Sequence, residues 1–283
     1  MKIKIGISTC PNDTFAFHGL LTGEVKIPGI ELDFQLLDIE QLNEGVIAEA
    51  FDVAKASFHL ALHVADRYWV MPSGSALGFG VGPLLLSSEN HRSPNEFNNT
   101  NATTLCPGRY TTASLLFQLF YPHTTAIKQV VFSEIMPSLK NKSAEFGVCI
   151  HEGRFTWEEQ GLFLVEDLGT RWENETKLPL PLGGLLASRD LPPEVIDSIQ
   201  LAIAQSIRNS KQHPDRALIS MRRYAQEFDD DVLMQHVDLY VNDWTIDLGM
   251  LGASALKKLN DMALRTGLVT QSDSGLEIFQ ATV

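Results

Sequence analysis

Lys2-Ile3-Lys4-Ile5-Gly6-Ile7-Ser8 is followed by the turn Thr9-Cys10-Pro11-Asn12-Asp13-Thr14 and then by an apolar stretch over residues 15–21. Apolar residues alternate in the first segment, which is typical of a β-strand, and the turn leads into residues with helical spacing. The same order recurs at residues 30–36, another alternating segment, and at residues 38–51, which have the pattern of a capped helix. This alternation of strand and helix predicts an α/β fold with a largely parallel sheet.

The composition changes abruptly at residues 87–101, which are polar and rich in turn formers. We predict that the chain crosses there into a second lobe, and that it returns at residues 178–187, which contain two prolines and two glycines. The predicted domains are a large discontinuous α/β lobe of residues 1–88 and 183–283 and a small inserted α/β lobe of residues 89–182. Two lobes joined by two crossings predict a ligand-binding interdomain cleft at the carboxyl ends of strands.

The remaining elements are predicted from the same local patterns. Asp38 and Gln41 have the spacing of a capping box at the start of the helix over residues 38–51. The other predictions are strands over residues 52–56, 102–106, 129–132 and 145–150, and helices over residues 57–66, 111–120, 192–209, 215–227 and 230–240.

Composition and charge limit the classes of function. The chain has 283 residues, 44% hydrophobic and 20% charged, which is typical of a globular protein. A net charge of −13 argues against a nucleic-acid or anionic-membrane surface, although a few local donors can still bind a small anion. Cys10, Cys106 and Cys149 are widely spaced, which argues against a disulfide framework and a CxxC metal site. Because the N-terminal segment lacks a signal-peptide core, we predict a cytoplasmic protein.

Two strand-to-helix junctions carry residues suited to an anion. Thr111 and Thr112 follow a predicted strand and the tight turn at Gly108, and they open an apolar helix whose free N–H groups attract negative charge. Lys55 and Ser57 close another predicted strand, so the lysine is a candidate counter-charge for an anionic ligand. The alternatives stay open, because Thr111 and Ser57 could simply cap helices and Lys55 could be solvated.

His151 is the candidate catalytic residue. The apolar strand before it delivers the imidazole at a carboxyl end, where the sites of α/β proteins gather. Histidine can accept a proton near neutral pH, which suits a general base. A structural histidine that bonds a loop carbonyl is the alternative, and the position alone does not distinguish the two.

Motifs for metals and nucleotides give no support to a cofactor. His59 and His63 have the i, i+4 spacing of metal ligands, but the sequence lacks the glutamate and third ligand of such a motif, so we interpret them as residues on an outer helix face. The sequence contains no P-loop, no G-x-G-x-x-G and no G-x-S-x-G pattern. We expect no metal and no organic cofactor.

Five blocks of sequence resemble a known family when they are taken together and in order. The resemblance is to 1,4-dihydroxy-6-naphthoate synthase of the futalosine route to menaquinone, and it extends from residue 3 to about residue 260. The blocks are Ser8-Thr9-Cys10-Pro11-Asn12-Asp13-Thr14-Phe15, Lys55-Ala56-Ser57-Phe58-His59, Pro107-Gly108-Arg109-Tyr110-Thr111-Thr112-Ala113, Ile150-His151-Glu152-Gly153-Arg154-Phe155-Thr156 and Tyr240-Val241-Asn242-Asp243.

The resemblance implies a two-lobed fold like the type II periplasmic binding proteins, with the ligand in the interdomain cleft. It also implies conversion of cyclic dehypoxanthinyl futalosine to 1,4-dihydroxy-6-naphthoate without a metal or organic cofactor. In this family the histidine of the H-E-G-R block is the proton acceptor, which corresponds to His151. The K-x-S and T-T blocks contact substrate, and they correspond to Lys55, Ala56, Ser57, Thr111 and Thr112. Ala56 is smaller than the residue common at its position and could widen the pocket.

Other classes of protein share this kind of fold. A non-enzymatic solute-binding protein for a small carboxylate would normally carry an export signal and needs no histidine in the cleft. The related chorismate dehydratase is disfavoured because the C-P-N-D-T-F and H-E-G-R-F-T blocks belong to the naphthoate synthases. We expect a small anionic substrate as the partner, no nucleic acid and no membrane, and a monomer or weak homodimer.

Overall fold

Two β-sheets flanked by helices form the framework of the protein. The computed structural model describes residues 1–97, 102–151, 153–224, 229–270 and 275–280. Its strands, in chain order, are β1 (Lys2–Ser8), β2 (Glu31–Leu37), β3 (Val53–Ser57), β4 (Tyr68–Val70), β5 (Ala76–Gly78), β6 (Leu84–Ser87), β7 (Thr103–Cys106), β8 (Ala126–Gln129), β9 (Phe146–Cys149), β10 (Phe163–Asp167) and β11 (Leu180–Ser188).

Helices cover both sheets and continue to the C-terminal region. A short 3-10 turn lies at Pro94–Glu96. The α-helices are α1 (Pro11–Ala16), α2 (His18–Leu21), α3 (Ile39–Ile47), α4 (Phe58–His63), α5 (Thr112–Phe120), α6 (Phe132–Lys140), α7 (Gly153–Thr156), α8 (Leu168–Thr176), α9 (Pro193–Gln212), α10 (Pro214–Tyr224), α11 (Asp230–Tyr240), α12 (Asp243–Ile246) and α13 (Gly249–Arg265).

Both sheets are mixed, so the prediction of a largely parallel sheet is wrong. The first sheet has the order β2-β1-β3-β11-β4, with β5 also on β11, and the second has the order β10-β6-β9-β7-β8. β1 is parallel to β2 and β3, and β7 is parallel to β8 and β9. β6 and β11 are antiparallel to all the strands named as their partners. β6 is the strand on which the chain enters the second sheet, and β11 is the strand on which it returns to the first. A local strand–helix pattern does not show whether such a strand runs parallel or antiparallel to its neighbours.

The core of the first sheet follows from the alternation in β1. Ile3, Ile5 and Ile7 are fully buried, whereas Lys2 and Lys4 are exposed. The three isoleucines pack in one cluster with apolar residues of α1 and α9. Burying a side chain of this size contributes roughly 1.5–3 kcal/mol. The predicted strand is therefore confirmed, and its polar residues are on the side away from this cluster.

The predicted capping box fixes the start of α3. The Asp38 carboxylate accepts hydrogen bonds from the backbone N–H groups of Glu40 and Gln41, and the Gln41 side chain accepts one from the Asp38 N–H. The helix ends at Ile47, earlier than predicted. Glu49 follows with φ of 55°, a left-handed conformation that stops the helix.

The first passage between the sheets comes before Leu84, not at residues 87–101 as predicted. β6 pairs with β9 and β10 of the second sheet, so the chain leaves the first sheet within residues 79–83. Residues 98–101 lie outside the described residues. The composition misled the prediction because β5 and β6 are both buried apolar strands, although they belong to different sheets. The lobe boundaries stay predictions, and this pairing favours placing the first one before Leu84.

Most of the predicted return crossing is a strand of the first sheet. α8 ends at Thr176 and β11 begins at Leu180, so the passage lies within residues 177–179. Pro181 is tolerated because the register with β5 shifts between it and Gly183. Gly183 also allows close approach to β3, since a Cβ atom there would lie 2.7 Å from the Ala56 carbonyl oxygen. Tertiary pairing therefore overrides the local turn signals.

The strand predicted at residues 129–132 is wrong, because β8 ends at Gln129 and α6 begins at Phe132. Ile135 and Leu139 lie one turn apart on α6 and are fully buried against the second sheet. Pro137 within this helix weakens the helical signal in the sequence. Three predicted helices correspond to α5, α9 and α11: those over residues 111–120, 192–209 and 230–240. The predicted helix over residues 215–227 corresponds to α10, and its residues 225–227 lie outside the described ranges.

Candidate active site

A cleft between the two sheets receives side chains from the carboxyl ends of β1, β3 and β9 and contains about 770 Å³ of empty space, including its opening to solvent. It brings together all the predicted site residues except Ala56, which is 1% exposed and packs in the apolar core. The residues in the wall are Ser8, Cys10, Asn12, Asp13, Ile39, Lys55, Ser57, Ala76, Val81, Gly82, Pro83, Thr111, Thr112, Ala113, Ile150, His151, Arg154, Leu182, Gly183, His236 and Tyr240.

Lys55 is held in a buried ion pair. Its Nζ lies 2.8 Å from Oδ1 of Asp13 and donates to the Gly74 carbonyl oxygen at 2.7 Å. The Lys55 and Asp13 side chains are only 6% and 3% exposed, and Oδ2 of Asp13 accepts a hydrogen bond from the Ser8 hydroxyl at 2.7 Å. The positive charge at Lys55 is therefore balanced within the protein, and the sequence had given no sign of this pairing across 42 residues.

Ser57 is tied to α3 through Asn43. The Asn43 amide donates to the Ser57 hydroxyl at 3.2 Å, and its carbonyl oxygen accepts from the Ser57 N–H at 3.0 Å. Both side chains are buried. This reciprocal pair fixes the Ser57 hydroxyl at the end of β3, where it faces the cleft.

Thr111 and Thr112 have different partners at the start of α5. Thr111 is the N-cap residue: its hydroxyl oxygen accepts from the Ser114 N–H at 3.2 Å and its hydroxyl donates to the Gly108 carbonyl oxygen at 2.9 Å. The Thr112 hydroxyl donates to the Leu182 carbonyl oxygen of β11 at 2.6 Å. The first threonine therefore shapes the helix start, and the second links the second-sheet side of the cleft to the first sheet.

His151 lies two residues beyond β9 and has an uncommon backbone conformation. Its φ is 56°, in the left-handed region that residues with a side chain rarely adopt. Its imidazole and the Phe132 ring are steeply inclined to each other, with centroids 4.9 Å apart, and its Nδ1 lies 3.5 Å from Sγ of Cys10. Such backbone conformations cluster at functional sites, where surrounding contacts hold them.

His236 is a site residue that the sequence analysis missed. It is 3% exposed on α11, and its ring is stacked towards His151 with centroids 6.2 Å apart. Burial, assisted by the neighbouring His151, lowers the pKa of His236 to about 3, so this imidazole is neutral at physiological pH. Tyr240, one turn along the same helix, lies 4.8 Å from it between ring centroids. The i, i+4 spacing of these two residues was the available signal.

Arg154 is part of the cleft wall, and its positive charge is paired with a carboxylate of the protein. Its guanidinium bonds Oδ2 of Asp167 at 2.8 Å and the Gly82 carbonyl oxygen at 2.5 Å. The Asp167 carboxylate in turn caps α8 through the N–H groups of Gly169 and Thr170. Arg154 thereby ties α7, which follows His151, to the loop between β5 and β6. Glu152 of the same sequence block lies outside the described residues.

Comparison with known families assigns the chain. The family described as menaquinone biosynthesis matches residues 3–265. The chain belongs to this family. It is 38% identical over 270 residues to 1,4-dihydroxy-6-naphthoate synthase of Thermus thermophilus, covering 95% of this chain and 97% of the relative. It is 36% identical to the Streptomyces coelicolor protein of the same name, with 94% of each chain covered.

Solved structures place this member of the menaquinone biosynthesis family in a wider fold group. Protein AF1704 from Archaeoglobus fulgidus has a TM-score of 0.88 at 30% identity, covering 95% of this chain and 98% of that protein. The periplasmic aliphatic sulphonate binding protein SsuA from Escherichia coli has a TM-score of 0.68 at 13% identity, covering 99% and 92%. The predicted two-lobed α/β fold of the periplasmic-binding-protein type is therefore confirmed.

His59 of α4 lies behind the family's cleft and not on an outer helix face, as the sequence analysis had it, whereas His63 is exposed, as that analysis predicted. His59 is 4% exposed, and its Nδ1 lies 3.2 Å from the Thr111 carbonyl oxygen. Its Nε2 lies 3.4 Å from Nε2 of His63. Burial, together with the neighbouring His63, lowers the pKa of His59 to about 4. The pair therefore buttresses the start of α5.

Within the described ranges, no group of three or more His, Cys, Asp or Glu side chains is arranged to hold a metal ion. No helix in the part of the chain that the structure describes combines the length and apolar character needed to cross a bilayer.

Proposed function

We propose that this chain is a 1,4-dihydroxy-6-naphthoate synthase that converts cyclic dehypoxanthinyl futalosine to 1,4-dihydroxy-6-naphthoate in menaquinone biosynthesis, with His151 as general base. The observation that carries the proposal is the identity of 36–38% to two proteins of that name over nearly the whole chain. The cleft supports it, because an imidazole lies there in a wall whose accessible area is mostly apolar.

The residues suit the chemistry that this activity needs. Release of the sugar-derived fragment and aromatisation to a naphthol require removal of a proton next to a carbonyl group. A neutral imidazole at His151 can accept that proton. The neighbouring His236 is itself neutral, so it adds no positive charge that would oppose protonation of His151.

We infer that the start of α5 anchors the aryl carboxylate of the substrate. Lys55 is the weaker candidate, because its Nζ already contacts the Asp13 carboxylate and the Gly74 carbonyl oxygen. At α5 the first N–H groups have no acceptor within the helix, and the positive end of the helix dipole lies at the same place. Thr111 and Thr112 hold this helix start in the cleft wall.

The proposed enzyme belongs in a reducing compartment, and we infer the cytoplasm. Cys10, Cys106 and Cys149 are all free thiols. Proteins of oxidising compartments generally use cysteines in disulfides. We further infer a monomer or weak homodimer that acts on a small anionic molecule.

The direct test is incubation of the purified protein with cyclic dehypoxanthinyl futalosine, followed by mass detection of 1,4-dihydroxy-6-naphthoate. We expect product from the wild-type protein and a loss of turnover in His151→Ala with ligand binding largely retained. Binding without product from well-folded wild-type protein would instead indicate a solute-binding protein. Near-normal turnover by His151→Ala would show that His151 is not the base.

A further inference from the structure

Arg154 comes three residues after His151 and bonds to two parts of the chain outside its own helix. Its guanidinium donates to the Gly82 carbonyl oxygen at 2.5 Å and to Oδ2 of Asp167 at 2.8 Å. Gly82 lies in the first passage between the sheets, and Asp167 is the last residue of β10. The Arg154 and Asp167 side chains are only 17% and 18% exposed, so the ion pair lies largely away from solvent. One side chain therefore joins α7 to two other elements.

The backbone of the same turn is bonded directly to His151. The Arg154 N–H donates to the His151 carbonyl oxygen at 3.1 Å, and the Gly153 N–H donates to the Ile150 carbonyl oxygen at 3.2 Å. α7 has four residues, and a helix this short is not stable on its own hydrogen bonds. His151 also has a φ of 56°, a conformation that persists when surrounding contacts hold it. The position of His151 therefore depends on the contacts that anchor this turn.

Both groups that Arg154 bonds are themselves fixed by α8. Oδ1 of Asp167 accepts hydrogen bonds from two backbone N–H groups at the start of that helix. Gly82 packs so closely against the Gly169 backbone that there is no room for a Cβ atom at Gly82. The guanidinium therefore bonds to groups that have little freedom to move.

We propose that Arg154 is a positioning residue for His151: by bonding Gly82 and Asp167 it holds α7, and with it the imidazole of His151, in place at the cleft wall. This role rests on the proposed function of His151 as general base. A misplacement of about 1 Å at a reacting group can cost about 10²-fold in rate. The Arg154 side chain itself takes no part in the proton transfer.

Binding of the substrate carboxylate is the rival role for Arg154, because its side chain lines the cleft. The guanidinium already faces the Asp167 carboxylate, so a second anion would compete with that ion pair. The two roles also differ in their kinetics. Loss of a positioning residue lowers kcat with little effect on substrate affinity, whereas loss of a substrate-binding residue lowers the affinity.

The first test is kinetic. Arg154→Met should lower kcat by about 10²-fold, with the KM and the dissociation constant for cyclic dehypoxanthinyl futalosine little changed. Arg154→Lys should recover part of the loss, because an ammonium keeps the charge but lacks the planar fork of donors. Arg171→Met is the matched control: Arg171 of α8 pairs with Glu166 and Glu175 outside the cleft wall, and its loss should leave kcat unchanged. A wild-type kcat in Arg154→Met, or a loss confined to affinity, would overturn the proposal.

A double-mutant cycle tests whether the ion pair carries the effect. Asp167→Asn weakens the bond to Arg154 but keeps a side-chain oxygen that can cap α8. Because Asp167 acts through Arg154 in this proposal, Arg154→Met/Asp167→Asn should lose no more kcat than Arg154→Met alone. Losses that multiply would contradict the coupling. If Arg154→Met does not fold, a wild-type kcat in both Arg154→Lys and Asp167→Asn would overturn the proposal.

The last test reads the placement of His151 without substrate. NMR spectra of protein with isotopically labelled histidine, assigned with His151→Gln, report the surroundings of its imidazole. We expect Arg154→Met to displace the His151 signals and Arg171→Met to leave them as in the wild-type protein. Unchanged signals in Arg154→Met would overturn the positioning role. If His151→Gln keeps its turnover, the proposed base fails, whereas these spectra still decide whether Arg154 anchors the turn.

Discussion

On the first-sheet side of the cleft, Lys55 and Ser8 both bond to Asp13, and Asn43 bonds to Ser57, whereas on the second-sheet side His151 has its ring against groups from both sheets. The first group is buried and its charges are paired, so it forms a rigid wall. The second side has a histidine in a left-handed conformation, with the neutral imidazole of His236 nearby. This difference indicates that the first-sheet side fixes the shape of the cleft, whereas the second-sheet side is suited to catalysis.

Breaking the first-sheet wall should have the largest effect on stability. Lys55→Met leaves the Asp13 carboxylate buried without its cation, and removing one partner of a buried pair costs about 3–5 kcal/mol. We expect the free energy of unfolding, measured in urea, to fall by that amount. The double variant Lys55→Met/Asp13→Asn removes both charges and should recover a large part of the loss. Equal losses in the single and double variants would show that the ion pair does not hold the wall.

The neutral histidines should make stability depend on pH. Burial lowers the pKa of His236 to about 3 and that of His59 to about 4, from an unfolded value near 6.5. Between these values the unfolded chain binds more protons than the folded one, so stability falls as the pH falls below about 6.5. Each histidine contributes a slope of at most about 1.4 kcal/mol per pH unit.

Urea unfolding at pH values from about 7.5 to 4 measures this slope. His236→Asn removes one titrating group and should flatten the dependence, whereas the wild-type slope should persist in a variant of exposed His213, the matched control. The same slope in His236→Asn and in the wild-type protein would mean that His236 is not kept neutral by the fold.

The smallest expected effect concerns the link between the two sides. Thr112→Val removes the hydrogen bond to the Leu182 carbonyl oxygen and should cost about 1 kcal/mol of stability. Thr124→Val is a matched control, because its hydroxyl donates to the Tyr121 carbonyl oxygen at the far end of α5. We expect similar losses of stability in both, but a weaker affinity for substrate, by about tenfold, only in Thr112→Val. Equal affinities would remove Thr112 from the substrate site.

The sequence was most informative where local chemistry decides the structure. The alternation in β1 and the Asp38 capping box formed as predicted, and the Thr111 cap is an alternative that the sequence analysis left open. Each depends on residues within a few positions of one another. β11 was mistaken for a crossing because strands on both of its sides stabilise it despite Pro181 and its two glycines.

The partners within the site could not be predicted for a related reason. The pairing of Lys55 with Asp13 and the contact of Cys10 with His151 join residues that are 42 and 141 positions apart. No local pattern encodes such contacts. His236 was detectable only as one of two aromatic side chains on one helix face, which is more often a sign of a core helix.

We propose that the imidazole of His151 performs the proton transfer while the rest of the cleft binds the substrate. The most direct measurement compares kcat and substrate affinity of the wild-type protein and His151→Gln with cyclic dehypoxanthinyl futalosine. We expect kcat to fall by roughly 10²–10⁴-fold while the dissociation constant changes little. A His151→Gln enzyme with nearly wild-type kcat would contradict the account.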